Sequence, residues 1–404
     1  MKLLAGLLGG MLWFLFSAPS PRAEPRDYRV YIKDGLRLDS ADGTFRFKTG
    51  GRIHVDWGLF RDDKAVAKKF GAQRNEADFR RIRWYLSGVL YDRIVFKIDF
   101  DFVRDTTFKD VYIGIRKLPV LGNFRAGNFK RPYSLDALTG GNDLTFLERS
   151  LAQTFAKLRN PGFVLYDSAR DDRLTWAVSL AKGSPSEKPS EILSGGNLNV
   201  AGRVTAVPWQ NGDRSKLVHV GFGFQFNNPN DGRVKFSQRA EQHVNGIRLA
   251  GAGAVESDGV RGLRPEFAVL WNSLHVQGEY EFAHVTVRNA AAANLDAGYV
   301  EAGYWLTGET RSYGHGVWGR TRPRNNFLDG GRGAWQVAAR YSFVDLNDGS
   351  VAGGKLHDIT AGLNWWLNPN TAVRFNYVHS NVDDGQGRDV GGVDAFLTRF
   401  QVSF

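Results

Sequence analysis

The sequence predicts an all-β protein: a transmembrane antiparallel β-barrel of about 16 strands, with one loop folded inward as a constriction. Three observations carry this reading. Apolar and polar residues alternate with a period of two along most of the chain, in runs of about ten residues, the length of a tilted membrane strand. Charged side chains recur on one face of many of these runs, which a soluble sandwich would not need. The chain also ends in an alternating aromatic strand, Phe396, Phe400, Val402 and Phe404, which is the form of an outer-membrane insertion signal.

Composition agrees with a barrel. Mean hydropathy is -0.34 and hydrophobic residues are 42%, values that look soluble. A barrel hides its membrane signal in this way, because each strand gives half its residues to a polar lumen. The 28 Phe and 11 Trp suit aromatic girdles at the two membrane boundaries. With no cysteine, a disulfide framework and thiol chemistry are excluded. Met1 to Ala23 reads as a secretory signal: Lys2, an apolar run from Leu3 to Phe16, then Ala18, Ser20 and Ala23 near the expected cleavage. Its removal lowers the formal charge from +11 to about +9, because Lys2 and Arg22 are its only charged side chains. Residues 24–43 read as a short N-terminal segment and 44–404 as the barrel.

The strands follow in order. In Phe45 to Leu59, Phe47, Ile53, Val55 and Trp57 oppose Lys48, Arg52, His54 and Asp56. In 79–91, Ile82, Trp84 and Leu86 oppose Arg81, Arg83 and Tyr85. Arg93 to Phe102 alternates more sharply still, after a tight join at Tyr91-Asp92-Arg93. Val111 to Ile115, Leu174 to Leu180, Leu198 to Val207 and Val218 to Phe226 continue the pattern. So do Leu274 to Phe282, Tyr299 to Thr307, Trp335 to Phe343, Ile359 to Leu367 and Val373 to Tyr377. Residues 233–272 leave the strand count open by one or two. Gly183 to Gly196 and Val285 to Asp296 read as outer loops.

One stretch breaks the rhythm. Leu121 to Ser150 begins as a strand, but Pro132 ends ladder pairing. Ser134 is an N-cap for one helical turn over Leu135 to Leu138, and Gly140-Gly141 breaks the chain again. Its Leu and Phe residues need an apolar resting place. The stretch therefore reads as a loop that leaves the wall, enters the lumen and brings Lys130, Arg131 and Arg149 to a narrowing.

The ordered set of motifs resembles the phosphate-selective porin O and P family. It comprises Lys33-Asp34-Gly35-Leu36, Asp42-Gly43 and the strand to Gly51-Arg52; GNFKRPYSLDALT at 127–139; and Phe146-Leu147-Glu148-Arg149-Ser150. It continues with Trp305 to Glu309, Gly333-Ala334-Trp335, Ala339-Arg340-Tyr341-Ser342, Asp345 to Asp348 and Gly362 to Leu367. The resemblance implies a 16-stranded barrel of the Gram-negative outer membrane, a homotrimer, and an arginine-lined lumen for phosphate or polyphosphate. It places Arg52 and Arg81 on the wall, with Lys130, Arg131 and Arg149 on the inward loop. The segment RVKFSQRAEQH at 233–243 is similar to another source of lumen arginines in that family, and Arg239 is read as a wall residue.

The chemistry fits small anions. Arginine offers a permanent charge and a planar fork of donors that matches phosphate oxygens, and rings of Arg and Lys line anion pores. The substrate-binding candidates are Arg52, Arg81, Arg83, Lys130, Arg131, Arg149, Arg239 and Arg340. Each has a structural alternative, a cross-lumen ion pair with an acidic partner such as Asp99, Asp101, Asp136, Glu148, Glu279, Glu281 or Glu301. His54, His219, His275 and His357 lack metal-ligand spacing. No HExxH, GxSxG or GxxxxGK[ST] motif is present, so the reading includes no enzyme, metal or cofactor. Basic residues that alternate with lipid-facing ones do not form a nucleic-acid face. The expected partners are small anions, membrane lipid and lipopolysaccharide. Three functions stay open: a channel for phosphate or related oxyanions, a general diffusion porin with weak anion preference, and a structural or partner-binding barrel.

Overall fold

The computed structural model describes residues 27–103, 106–156, 159–182, 198–229 and 231–404. The signal segment and the loop from Gly183 to Gly196 lie outside the described residues. The chain opens with a hairpin, β1 (Tyr28–Ile32) and β2 (Leu36–Ser40). The wall begins with β3 (Arg46–Asp62), β4 (Glu76–Leu90), β5 (Ile94–Asp101), β6 (Thr107–Leu118), β7 (Gly122–Lys130), β8 (Arg159–Ala169), β9 (Leu174–Lys182), β10 (Leu198–Gln210) and β11 (Lys216–Asn227). After a short β12 (Arg233–Gln238) it continues with β13 (Ala250–Trp271), β14 (Leu274–Val287) and β15 (Ala293–Trp305). A small hairpin, β16 (Tyr313–Gly314) and β17 (Val317–Trp318), interrupts it before β18 (Ala334–Asp348), β19 (Val351–Asn368), β20 (Thr371–Asp383) and β21 (Asp389–Ser403).

Successive wall strands pair antiparallel, and β21 pairs with β3 from Val393–Asp62 to Ser403–Arg52. The result is a closed barrel of 16 strands, which leaves no free edge. The last residue seals the seam: the Gly51 N–H donates to the Phe404 carbonyl at 2.7 Å, and the Phe404 N–H donates back at 3.1 Å. This end, with its tight turns, is the periplasmic one. The initial hairpin lies there, with β2 pairing the start of β3 from Leu36–Thr49 to Asp39–Arg46.

Side-chain parity sets the two faces. Trp57, Phe79, Trp84, Ile113, Phe282 and Phe400 are exposed on the outside, as a lipid-facing belt requires. Near the periplasmic boundary Trp209 stacks on Trp271 at 6.0 Å and Trp335 on Trp365 at 5.1 Å.

Four sequence expectations change. Residues 285–296 are mostly strand, because Val285, Ala293 and Leu295 turn inward into an apolar cluster. The ambiguous 233–272 resolves into β12, a loop at 239–249 and the long β13, to whose upper part β12 pairs. Arg239 therefore belongs to a loop and not to the wall. Lys130 is the last residue of β7, where it still pairs with Arg159 of β8. The inward loop proper starts at Arg131.

The upper lumen is not wholly polar. The 3₁₀ turn Leu151–Phe155 of the inward loop packs with Phe236, Leu249, Val285, Leu295, Val344 and Leu356. This is the apolar seat that the loop's composition demanded.

Candidate functional site

The inward loop is seated by the wall. Ser134 caps the short helix α2 (Leu135–Leu138; the longer α1 is Lys64–Phe70) by accepting from the Ala137 N–H at 3.0 Å. The first free N–H groups of that turn find wall carboxylates: Leu135 donates to Glu266 at 3.1 Å and Asp136 to Glu279 at 2.9 Å. Orphan donors at a helix start are anion sites, and here glutamates fill them. Tyr133 donates to Glu281, and Arg264 clamps Glu279 at 2.9 Å and Glu281 at 2.7 Å. Room for this docking comes from two wall glycines. A Cβ at Gly223 would lie 2.1 Å from the Tyr133 carbonyl oxygen, and one at Gly262 would lie 2.4 Å from its hydroxyl.

Further along, Arg374 donates to the Leu144 and Thr145 carbonyls at 2.6 Å each. Arg399 pairs with Asp56 at 2.6 Å and Glu148 at 2.8 Å, and its third donor meets the Leu147 carbonyl. Arg340 pairs with Glu241 and, at 3.3 Å, with Glu301, and it donates to the Glu148 carbonyl at 3.0 Å. These guanidiniums are almost fully buried. Arg340 and Arg399 are paired as well as hydrogen-bonded, as a buried charge requires, and Arg374 is held by the Asn364 amide and the loop carbonyls, so all three act as pins for the loop.

The opposite wall, β3 to β8, keeps its charges facing the space beside the loop. Arg83 pairs with Asp101 at 2.9 Å, Lys97 with Asp110 at 2.8 Å, and Arg159 with Asp110 at 2.7 Å. Arg80 holds Glu148 with two bonds, at 2.7 and 2.9 Å. Two strand irregularities load this wall. The register of β3 on β4 slips between His54 and Val55, so Arg80 and Arg81 both turn inward. A second slip between β5 and β6 does the same for Lys109 and Asp110. A bulge puts one extra residue on one strand and re-aims a side chain. Arg80 and Lys109 were thus missed by strict alternation. The signal was available: parity would have put Arg80 in lipid.

Of the eight candidates, Arg52, Arg83, Lys130 and Arg149 face this space. Arg52 reaches Asn142 of the loop at 3.4 Å. Lys130 donates to the carbonyls of Leu138 and Thr139 at 2.9 and 3.0 Å, and Arg149 to Asp136 and Thr139 at 2.8 and 2.7 Å. Both cations thus sit at the C-terminal end of the loop helix, and Lys130 lies within Coulombic reach of Arg149, Arg159 and Arg52. Arg81 is buried beside His54 at 3.1 Å. Arg131 is buried and turned back to the wall, on Asn227 at 2.7 Å. Arg239 and Arg80 join Arg149, Arg248 and His243 around a cavity of about 230 Å³ above the narrowing. In that upper loop the His243 imidazole is pushed down to about 3, by burial first and then by Arg80.

Sequence reasoning also missed a second inward segment. Residues 306–333, between β15 and β18, rise from the periplasmic end. Trp318 packs with Leu135, Val207, Leu217 and Leu270, the Tyr313 hydroxyl meets His219 at 2.6 Å, and Arg311 donates to the Asp143 carbonyl at 2.8 Å. Arg320 and Arg322 pair with Asp34 of the N-terminal hairpin at 2.9 and 2.7 Å. The lumen is therefore narrowed from both ends.

Residues 47–404 match the family described as "Phosphate-selective porin O and P". The chain belongs to this family. Among curated relatives, this porin is 25% identical over 426 residues to Porin O of Pseudomonas aeruginosa, covering 94% of this chain and 93% of that one. It is 28% identical over 377 residues to an uncharacterized protein of Caulobacter vibrioides, covering 89% of this chain and 73% of the relative. Its fold is that of solved outer-membrane barrels. An anion-selective porin from Comamonas acidovorans aligns with a TM-score of 0.54 at 11% identity, over 89% of this chain and 100% of that one. OmpT of Vibrio cholerae aligns with a TM-score of 0.53 at 12% identity, over 89% and 98%. This porin is an outer-membrane channel of a Gram-negative bacterium.

Proposed function

We propose that this porin passes small anions by passive diffusion, with phosphate and related oxyanions as its preferred cargo. The observation that carries the reading is the charge imbalance at the narrowing. Arg52, Arg80, Arg81, Arg83, Lys97, Lys109, Lys130, Arg149 and Arg159 surround it, against Asp99, Asp101, Asp110, Asp136, Asp143 and Glu148. Two unit charges about 4 Å apart interact by about 4 kcal/mol at an effective dielectric near 20. Such attraction offsets the water an anion sheds, and several weak sites in series let it step through. Arg52, Arg83, Lys130 and Arg149 form that series, with Arg239 and Arg80 above it.

The pinned arginines favour a second reading, general diffusion with weak anion preference. Arg264, Arg340 and Arg399 are neutralised by carboxylates, so only part of the lumen charge is free to act on an ion. One recording separates the two. In planar bilayers, millimolar phosphate is expected to block chloride current through the wild type. Lys130→Ala and Arg149→Ala should weaken that block about tenfold, the effect of about 1.4 kcal/mol. Chloride current indifferent to phosphate would leave general diffusion standing, and no current at all would leave a structural barrel. The proposed protein is a homotrimer, in keeping with the trimer form of the Vibrio cholerae relative, exported by the signal at residues 1–23 and set among lipopolysaccharide.

A further inference from the structure

Beneath the inward loop lies a chamber of about 480 Å³, roofed by Pro132 and Leu138, walled by β6 to β10 and floored by the β16–β17 hairpin through His315 and Val317. It shares Lys130 with the narrowing above it and adds apolar lining. Part of its lining is apolar, formed by Phe129, Val164, Leu138 and Val317. Beside Val164, its cross-strand partner, stands Arg125, whose guanidinium lies 4.8 Å from the Tyr112 centroid and 4.3 Å from that of Tyr166. A guanidinium flanked by two rings is restricted in orientation, and its N–H donors lie in one plane. Its Nε is buried without a hydrogen-bond partner. Among the described residues no carboxylate pairs with it, whereas Arg116 is matched by Asp92 at 3.0 Å and Arg203 by Glu266 at 2.5 Å.

From this juxtaposition we infer that the chamber is a binding subsite for an organic monocarboxylate with an apolar, planar body, such as an aromatic acid. The inference rests on the reading of the lumen as an anion path and names a second class of cargo for it. A carboxylate is planar and matches the free edge of a guanidinium with two parallel hydrogen bonds. The body of an aromatic acid covers the apolar side, which gains by leaving water. A tetrahedral oxyanion is polar all round and leaves that side wetted. A sugar lacks the charge and would bury hydroxyls against groups that cannot bond them. Lys130 also lines the chamber, but the Leu138 and Thr139 carbonyls take two of its donors; with Arg116 and Arg203 paired, Arg125 is the guanidinium left for one carboxylate, and Asp167 in the lining disfavours a second.

The test uses the full-length porin, with benzoate as the aromatic acid and acetate as its body-less control. In bilayers, benzoate added from the periplasmic side should half-block chloride current at about a tenth of the acetate concentration, the preference expected from burying one ring face. Arg125→Gln should weaken block by both acids. Val164→Thr, nearly the same shape, should weaken benzoate alone. Equal block by the two acids, or an Arg125→Gln channel blocked by both as strongly as the wild type, overturns the subsite. Calorimetric titration of the detergent-solubilised porin with benzoate reads the subsite without any current. Saturable binding that Arg125→Gln weakens supports it, and no binding to the wild type overturns it. Binding without conductance would retire the anion-path reading while the subsite stands.

Discussion

Glu148 meets three guanidiniums at once. It bonds Arg80 and Arg399 and lies 3.9 Å from Arg81. Removing one partner of a buried ion cluster costs about 3–5 kcal/mol, because the remaining charges are left uncompensated. Glu148→Gln is therefore expected to lower the temperature at which the heat-modifiable barrel unfolds, and to deepen phosphate block in bilayers as cations are released. A second residue-scale expectation concerns His243. Its folded-state pKa is depressed, to about 3, against about 6.5 for an exposed imidazole. Between these values the released loop binds a proton that the seated loop does not. Seating is thus fully stable above about pH 6.5 and weakens as pH falls toward 3. Acidification from pH 7 to 5 should raise protease cleavage within 239–249, and His243→Gln should remove that dependence. Cleavage independent of pH in the wild type would refute this.

The inward loop is held by side chains from many strands, so no single pin releases it. Its closest fit is at Tyr133, under Gly223 and Gly262. A Gly262→Val substitution puts a branched side chain where the Tyr133 hydroxyl and Glu281 meet, which overpacking penalises by about 1–3 kcal/mol. The expected outcome is a loop displaced from its seat, seen as larger and noisier single-channel conductance from a barrel that still assembles. Unchanged conductance would mean that the lumen at Tyr133 yields without moving the loop. The existence of this loop was legible, because Pro132, the Ser134 cap and Gly140-Gly141 stop strand alternation. Its seat was only half legible. Glu279, Glu281 and Glu301 of β14 and β15 were read as inward-facing and Glu266 of β13 was not, and nothing local says that Glu266 and Glu279 receive the N–H groups of Leu135 and Asp136. The periplasmic segment 306–333 was not legible at all. Tyr299 to Thr307 reads as a strand, and the residues after it carry no alternation to show that Trp318 is buried.

The ladder that closes the barrel runs from Val393–Asp62 to Ser403–Arg52, and Phe404 extends it. The Phe404 backbone is bonded on both sides to Gly51, across the seam between β21 and β3. Deleting Phe404 should lower the yield of heat-modifiable porin in the outer membrane; normal yield and normal heat-modifiability would refute the reading of the C-terminus. At the outer end, Asp384 is bonded by Lys69 and Arg388, which ties the last loop to the helix after β3.

The amino-acid sequence by itself determined the barrel, its approximate strand number, its lipid and lumen faces and the presence of one inward loop. These are local properties: strand period is two residues, and a charged side chain cannot face lipid, so each run declares its own face. The tertiary structure alone decided which arginines are locked by carboxylates. Arg340 and Arg149 are the same residue type on the same side of the lipid boundary, yet one is locked between Glu241 and Glu301 while the other donates to loop carbonyls beside the path, with Asp136 only at 3.9 Å. That difference depends on partners about 10 to 200 positions away in the chain, on two register slips that turned Arg80 and Lys109 inward, and on a segment arriving from the opposite end of the barrel. Pairing over such distances follows from closure of the cylinder, which no single run of residues contains.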